Sequence, residues 1–156
     1  MTLEKLNHSF LNQGWGAREE VLKKYFREQE SNQRYVLVSE YQNKVAGYLT
    51  IVTHASEGPF KEKYPEIVDF NVFESYQQKG IGSYLLTKAE ELIKEFLEVI
   101  TLGVGLHQGY GSAQRLYIKN GFIPDGSGVW FNNKRLSQGA DCFNNDELVL
   151  YLIKAI

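Results

Sequence analysis

Cysteine is nearly missing from this sequence. Cys142 stands alone, so no internal disulfide can form, and that usage fits a reducing compartment, read here as the cytoplasm. Metal-site spacing is missing too. The three histidines, His8, His54 and His107, are scattered, and Cys142 has no partner at zinc-site spacing. No block of basic residues occurs. The 17 Lys and Arg stand against 19 Asp and Glu, a net charge of −2, which gives nucleic-acid binding little electrostatic support. No apolar run reaches the roughly 18 residues of a membrane helix, and no charged-then-apolar leader is present. A disulfide scaffold, a metal centre, a nucleic-acid binder and a membrane protein are therefore all set aside.

What remains is ordinary globular material. At 156 residues the chain is read as one domain, 1–156. Such a chain can bury about 70% of its unfolded surface, so a full core is feasible. Hydrophobic residues make up 43% and charged residues 23%, as is usual for a soluble protein. Ten Tyr and nine Phe are present. A Tyr-rich surface can line a pocket for a small ligand, although such residues more often pack with the hydroxyl in water.

The stretch Val72-Phe73-Glu74-Ser75-Tyr76-Gln77-Gln78-Lys79-Gly80-Ile81-Gly82-Ser83 organises the chain. Residues 67–72 before it read as a strand, and the residues from Tyr84 to about Phe96 read as a helix. A strand that runs through a glycine turn into a helix N-terminus leaves several backbone N–H groups aimed at one point. The peptide dipoles add positive charge there, and such a site suits phosphate. Gly80 and Gly82 have no Cβ, so a bulky anion can approach the main chain. Lys79 adds a full charge. The dinucleotide fingerprint fails because Leu85 stands where a third Gly or Ala is needed. The P-loop fails because Ile81, not Lys, follows Gly80. On this stretch alone, a phosphate site and a turn that needs two glycines for sterics weigh about equally.

The spacing Gln77-x-x-Gly80-x-Gly82 resembles the acetyl-CoA pyrophosphate loop of the GNAT superfamily of N-acetyltransferases. Farther on, Ala113-x-x-Leu116-Tyr117 followed by Gly121-Phe122 resembles that superfamily's later motif, in the right order and at the right separation. The resemblance covers roughly residues 34–122. It implies an α/β (α+β) fold with a central mixed, mostly antiparallel sheet, a splayed parallel strand pair and flanking helices. It also implies acetyl-CoA as acyl donor and transfer to a primary amine in a ternary complex. The pyrophosphate would lie on Gln77, Gln78, Lys79, Gly80, Ile81, Gly82 and Ser83, and the pantetheine arm along Asn71 and Val72. The superfamily often dimerises, so a homodimer is an expected partner. Two departures stand out. Tyr110 occupies the place of an Asn that bonds the CoA arm, and Glu74 the place where Pro is common.

Taken in order, residues 3–11 read as a short amphipathic helix, or residues 2–6 as a first strand. Residues 17–30 read as a helix with Val21, Leu22, Tyr25 and Phe26 on its apolar face and Glu20 paired to Lys24. Residues 35–40 and 45–52 read as a hairpin turning at residues 42–44, with Gly47 signalling close packing on another backbone. Residues 53–65 form a loop. Residues 99–104 read as a strand parallel to 67–72. Residues 112–119 read as a helix, capped by Ser112 and stopped by Gly121. A polar span over 132–146 leads to a last strand at 148–153, as a flap or a mobile segment.

Amide formation needs a held thioester, a stabilised oxyanion, a neutral amine and a protonated leaving thiolate. The resemblance assigns Val72 N–H to the thioester carbonyl, a donor that can contribute roughly 3 kcal/mol. It assigns Tyr117 to protonation of the sulfur, as a phenol near pKa 10 can do. Asp69 is the first choice of base, with Glu66 and His107 as further candidates. Trp15, Tyr25, His54 and Glu57 are candidate acceptor contacts, although core packing or a solvated loop accounts for each as well. A small-molecule amine is the favoured acceptor. A protein N-acetyltransferase, a non-catalytic acyl-CoA-binding module and an acyltransferase with Cys142 as nucleophile stay open.

Overall fold

A computed structural model describes residues 19–156. The expected helix or strand within residues 2–11 and the candidate contact Trp15 lie outside the described residues. The elements run α1 (Glu19–Glu30), β1 (Arg34–Tyr41), β2 (Lys44–Val52), β3 (Glu66–Val72), α2 (Ile81–Lys94), β4 (Val99–Gly105), α3 (Gly111–Lys119), β5 (Ile123–Phe131), β6 (Lys134–Arg135) and β7 (Leu148–Ala155). The seven strands form one sheet in the order β1-β2-β3-β4-β7-β5-β6. It is a mixed α+β architecture with a mostly antiparallel sheet and one parallel pair, β3 with β4, as the sequence motifs imply.

The described chain divides into two compact units. One holds the chain up to Thr53 together with Val68–Glu91; the other holds His54–Ile67 and Leu92–Ile156. In the first unit, β1 and β2 form the expected hairpin, with Tyr41 opposite Lys44. Its turn residues Gln42 and Asn43 both take the left-handed backbone, φ 50° and 65°, as a two-residue turn matched to strand twist requires. Leu22, Val45, Tyr48 and Phe73 pack together as a core. Gly47 is the close approach anticipated from the sequence. A Cβ there would lie 2.9 Å from the Asn71 carbonyl oxygen and 3.2 Å from Val72 Cα, so no side chain fits. Helix α1 buries Leu22 but leaves Val21 exposed. Its ion pairs also differ from expectation: Lys23 bonds Glu19 at 2.7 Å, and Lys24 lies 3.6 Å from Glu28.

In the second unit, β7 lies between β4 and β5, antiparallel to both. The parallel register of β3 on β4 holds Glu66 opposite Thr101 and Ile67 opposite Leu102. Helix α3 begins at Gly111 with Tyr110 as its N-cap. Ser112 therefore lies inside the first turn rather than capping it. Gly121, at φ +91°, ends the helix, and Phe122 N–H bonds back to the Tyr117 carbonyl at 3.0 Å; this is the expected glycine stop. The span after Phe131 holds more order than a loop. Asn132 and Asn133, at φ 49° and 61°, turn the chain into β6, which pairs back on Trp130 and Phe131.

Candidate active site

The glycine turn sits where β3 gives way to α2. Phe73 is buried and its N–H bonds the Ala46 carbonyl at 2.9 Å, which ties the end of β3 to β2. A short 3-10 turn, Glu74–Tyr76, follows. Gln77 Nε2 then donates to the Val72 carbonyl at 3.1 Å, folding the loop back on the strand. Gln78 and Gly80 take left-handed backbone, φ 62° and 76°, so the chain reverses just ahead of the helix. Tyr84 N–H makes the first helical bond, to the Gly80 carbonyl at 3.0 Å. The amides of Ile81 and Gly82 accordingly have no acceptor inside the helix. A Cβ placed on Gly80 would meet nothing within 4 Å. The turn is therefore open in front, and residues 77–80 are exposed. Lys79 Nζ rests 5.4 Å from the centre of the Tyr41 ring. An open turn of amides with a cation at its rim fits a diphosphate.

Just upstream, Asp69 is the one strained residue of β3, at φ +57°. Its carboxylate is held from three directions. Tyr25 OH donates at 2.7 Å, Tyr48 OH at 2.8 Å and Asn71 Nδ2 at 3.2 Å. Asn71 Nδ2 also reaches the Tyr48 hydroxyl oxygen at 3.1 Å. These bonds over-determine a backbone conformation that Asp tolerates at some cost. They bring together Asp69, Asn71 and Tyr25, three of the sequence candidates, and add Tyr48, which no motif marks.

The second unit carries the other motif. Tyr117 is buried in α3 and sets its ring edge-on to Phe122, 6.1 Å between centres. Burial, and secondarily Tyr110, pushes its phenol up to about 12, so it stays protonated at neutral pH and keeps its hydrogen to donate. Gln114 Nε2 donates to the Gly105 carbonyl at 2.9 Å and ties α3 to the end of β4. Tyr110 lies across Gly105, where a Cβ would come within 2.3 Å of its ring. Its hydroxyl donates to Asp146 Oδ1 at 3.0 Å. His107 Nε2 meets the same oxygen at 2.8 Å. These contacts hold the Asp146 carboxyl below the usual range.

Glu66, a lesser candidate in the sequence, occupies the more unusual place. It is only 7% exposed, and its Oε2 is buried without a hydrogen-bond partner. Burial, reinforced by the Glu57 carboxylate, raises its carboxyl to about 7. His54, Glu57 and Cys142 are exposed. No helix among the described residues is long and apolar enough to cross a membrane.

A model of the acetyltransferase (GNAT) family matches residues 2–122. The chain belongs to the GNAT family. No curated protein sequence matches this GNAT chain, but solved structures do. A GNAT family acetyltransferase from Elizabethkingia anophelis, with acetyl-CoA bound, is 20% identical with a TM-score of 0.60, covering 88% of this chain and 82% of its own. An aminoglycoside 6'-N-acetyltransferase complexed with coenzyme A is 16% identical with a TM-score of 0.66, covering 98% and 89%. The ribosomal-protein-S18-alanine N-acetyltransferase from Escherichia coli is 17% identical with a TM-score of 0.67, covering 99% and 87%. At these identities the likeness is one of fold. Within this GNAT chain, no motif marks Tyr151 either. Its only signal is a hydroxyl in the otherwise aliphatic run Leu148-Val149-Leu150-Tyr151-Leu152-Ile153.

Proposed function

We propose that the protein is a single-domain N-acetyltransferase, over residues 1–156, that moves an acetyl group from acetyl-CoA to a primary amine. The observation that carries this reading is the open turn at residues 77–83, with Gly80 at φ +76° and clear space before it. Acetyl-CoA supplies the activated thioester. Gln77, Gln78, Lys79, Gly80, Ile81, Gly82 and Ser83 grip its diphosphate through backbone amides and one ammonium. Asn71 and Val72 align the arm along β3 in the manner of an added strand, and the Val72 amide polarises the reacting carbonyl. Tyr110, at the motif position of an Asn that bonds the arm, is assigned to coenzyme A as well.

Two proton movements complete the chemistry. Tyr117 gives its phenolic proton to the departing sulfur, a role its protonated state supports. Asp69 takes the proton that the attacking amine sheds, held in place by Tyr25 and Tyr48. Glu66 is a second candidate for that base, favoured by its unpartnered oxygen and a carboxyl raised to about 7. A small molecule is the preferred acceptor. The likeness to an aminoglycoside acetyltransferase supports it, whereas the likeness to the S18-alanine enzyme supports a protein acceptor.

Calorimetric titration with acetyl-CoA, followed by thiol-release assays across an amine panel, tests the reading. Binding with turnover on at least one amine is expected. Binding without turnover on any amine would leave a non-catalytic acyl-CoA module. No binding at all would remove the enzyme reading.

A further inference from the structure

One face of the second unit gathers negative charge around a ring. Pairing across β3, β4 and β7 sets Glu66 opposite Thr101, Thr101 opposite Ile153, and Gly103 opposite Tyr151. Trp130 faces Val149 on the far side of β7. Residues in register share a face and residues two apart keep it, so Glu66, Tyr151 and Trp130 all stand on one face. Gly103 lets Tyr151 lean inward, since a Cβ there would sit 3.0 Å from the Tyr151 ring. Phe60 and Trp130 meet that ring edge-on, with centres 5.9 Å and 5.6 Å away. The phenol end abuts Gly58, where a Cβ would fall 2.6 Å from the hydroxyl oxygen. Glu57, beside Gly58, comes with it.

Carboxylates surround this ring at longer range. Burial, and then Glu66, Glu57, Glu147 and Asp125, all hold the Tyr151 phenol well above its ordinary value. None of the four carboxylates forms an ion pair with a Lys or Arg among the described residues. Asp125 is steadied by Ser127, whose N–H and Oγ donate to its Oδ1 at 3.0 Å and 2.7 Å. The Glu66 Oε2, buried and unpartnered, asks for a donor that the protein does not provide. A metal ion is a poor fit, because no three Asp, Glu, His or Cys side chains among the described residues come together as ligands. An organic ammonium fits better. It brings three N–H donors, tolerates spread-out carboxylates and is attracted by aromatic rings.

We propose that this face is the cation site for the acceptor and that the acceptor carries at least two amino groups on an aliphatic or sugar frame. The assignment rests on the transferase reading for the fate of one amine; the other amine is what the acidic face holds. Four carboxylates against one charge would leave most of the repulsion in place, whereas a diamine or polyamine relieves it. A peptide N-terminus, with a single charge, would not.

Titration calorimetry with 1,4-diaminobutane and with n-butylamine, each with and without coenzyme A, tests this. The diamine should bind at least about tenfold more tightly, as a second charge-assisted contact implies. The double variant Glu57→Gln/Glu147→Gln alters two exposed side chains and should abolish that preference without lowering the melting temperature. Glu91→Gln, on the exposed side of α2, should keep it. Equal binding of the two amines, no binding of either, or a preference that survives the double variant would overturn the proposal. Coenzyme A binding is scored separately: its loss with the diamine preference intact would sink the transferase reading and spare the cation site.

Discussion

Glu66 gives a prediction whose size follows from its surroundings. Its carboxyl stands near 7 in the folded protein, raised first by burial and then by Glu57. In the unfolded chain it returns to about 4.5. Between those pH values the folded state binds one more proton than the unfolded state. Stability therefore falls as pH rises through that window and is flat outside it. At about 1.4 kcal/mol per pH unit the loss is roughly 3 kcal/mol. Glu66→Gln keeps the shape and removes the titration. The stability difference between variant and wild type should then shift by roughly 3 kcal/mol in the variant's favour from pH 4.5 to 8. For a domain of this size that is roughly 6–12 °C in relative melting temperature. Denaturant and thermal melts of both proteins at pH 4.5, 6 and 8 measure it. The groups facing Glu66 are Glu57 and Tyr151. Tyr151 is neutral throughout the range, and the repulsion from Glu57 is already part of the Glu66 shift and disappears with the Glu66 charge. A difference that stays constant across pH would refute the placement of Glu66 in a dry, unpartnered position.

Tyr117→Phe should lower kcat by roughly a hundredfold while leaving coenzyme A affinity within about twofold, as loss of a general acid would; steady-state kinetics with calorimetry separates the two, and an unchanged kcat removes the acid role. Asp69→Ala deprives Tyr25, Tyr48 and Asn71 of their shared acceptor and puts Ala at φ +57°, so it should cost about 2–4 kcal/mol in urea unfolding, whereas Asp69→Asn, which tolerates that backbone, should cost less. Gly47→Ala, with its Cβ 2.9 Å from the Asn71 carbonyl oxygen, should destabilise by roughly 1–3 kcal/mol, and a wild-type melting curve would contradict the close β2–β3 packing. Cys142→Ala should leave turnover within about twofold, because the thiol is exposed and lies outside regular structure; an inactive variant would reopen a cysteine nucleophile.

The fold was legible where backbone geometry restricts residue choice. Gly47, Gly80 and Gly121 each mark a position that a side chain would block or strain, and each predicted its turn or close packing correctly. The Gln77-x-x-Gly80-x-Gly82 spacing worked for the same reason. Long-range register was not legible. Nothing around Glu66 announces that its carboxyl is buried, because groups beside it, Tyr151 among them, are far along the chain. Tyr48 reaches Asp69 only because β2 lies beside β3, whereas Asn71 stands two residues along the same strand. The Asn132-Asn133 turn could have been read, since two asparagines tolerate left-handed backbone together; the surrounding polarity masked it. Ser112 misled because the backbone turn at residues 108–110 had already started α3 one residue earlier.

The ring of His107 sits between two neighbours that leave its chemistry no choice. Gly109 N–H points at Nδ1 from 3.0 Å, and a peptide amide can only donate. That nitrogen therefore keeps its lone pair, and the proton of the neutral imidazole belongs on Nε2, toward Asp146. Nitrogen resonances of this one imidazole should thus serve as a gauge of whether that corner of the molecule is closed.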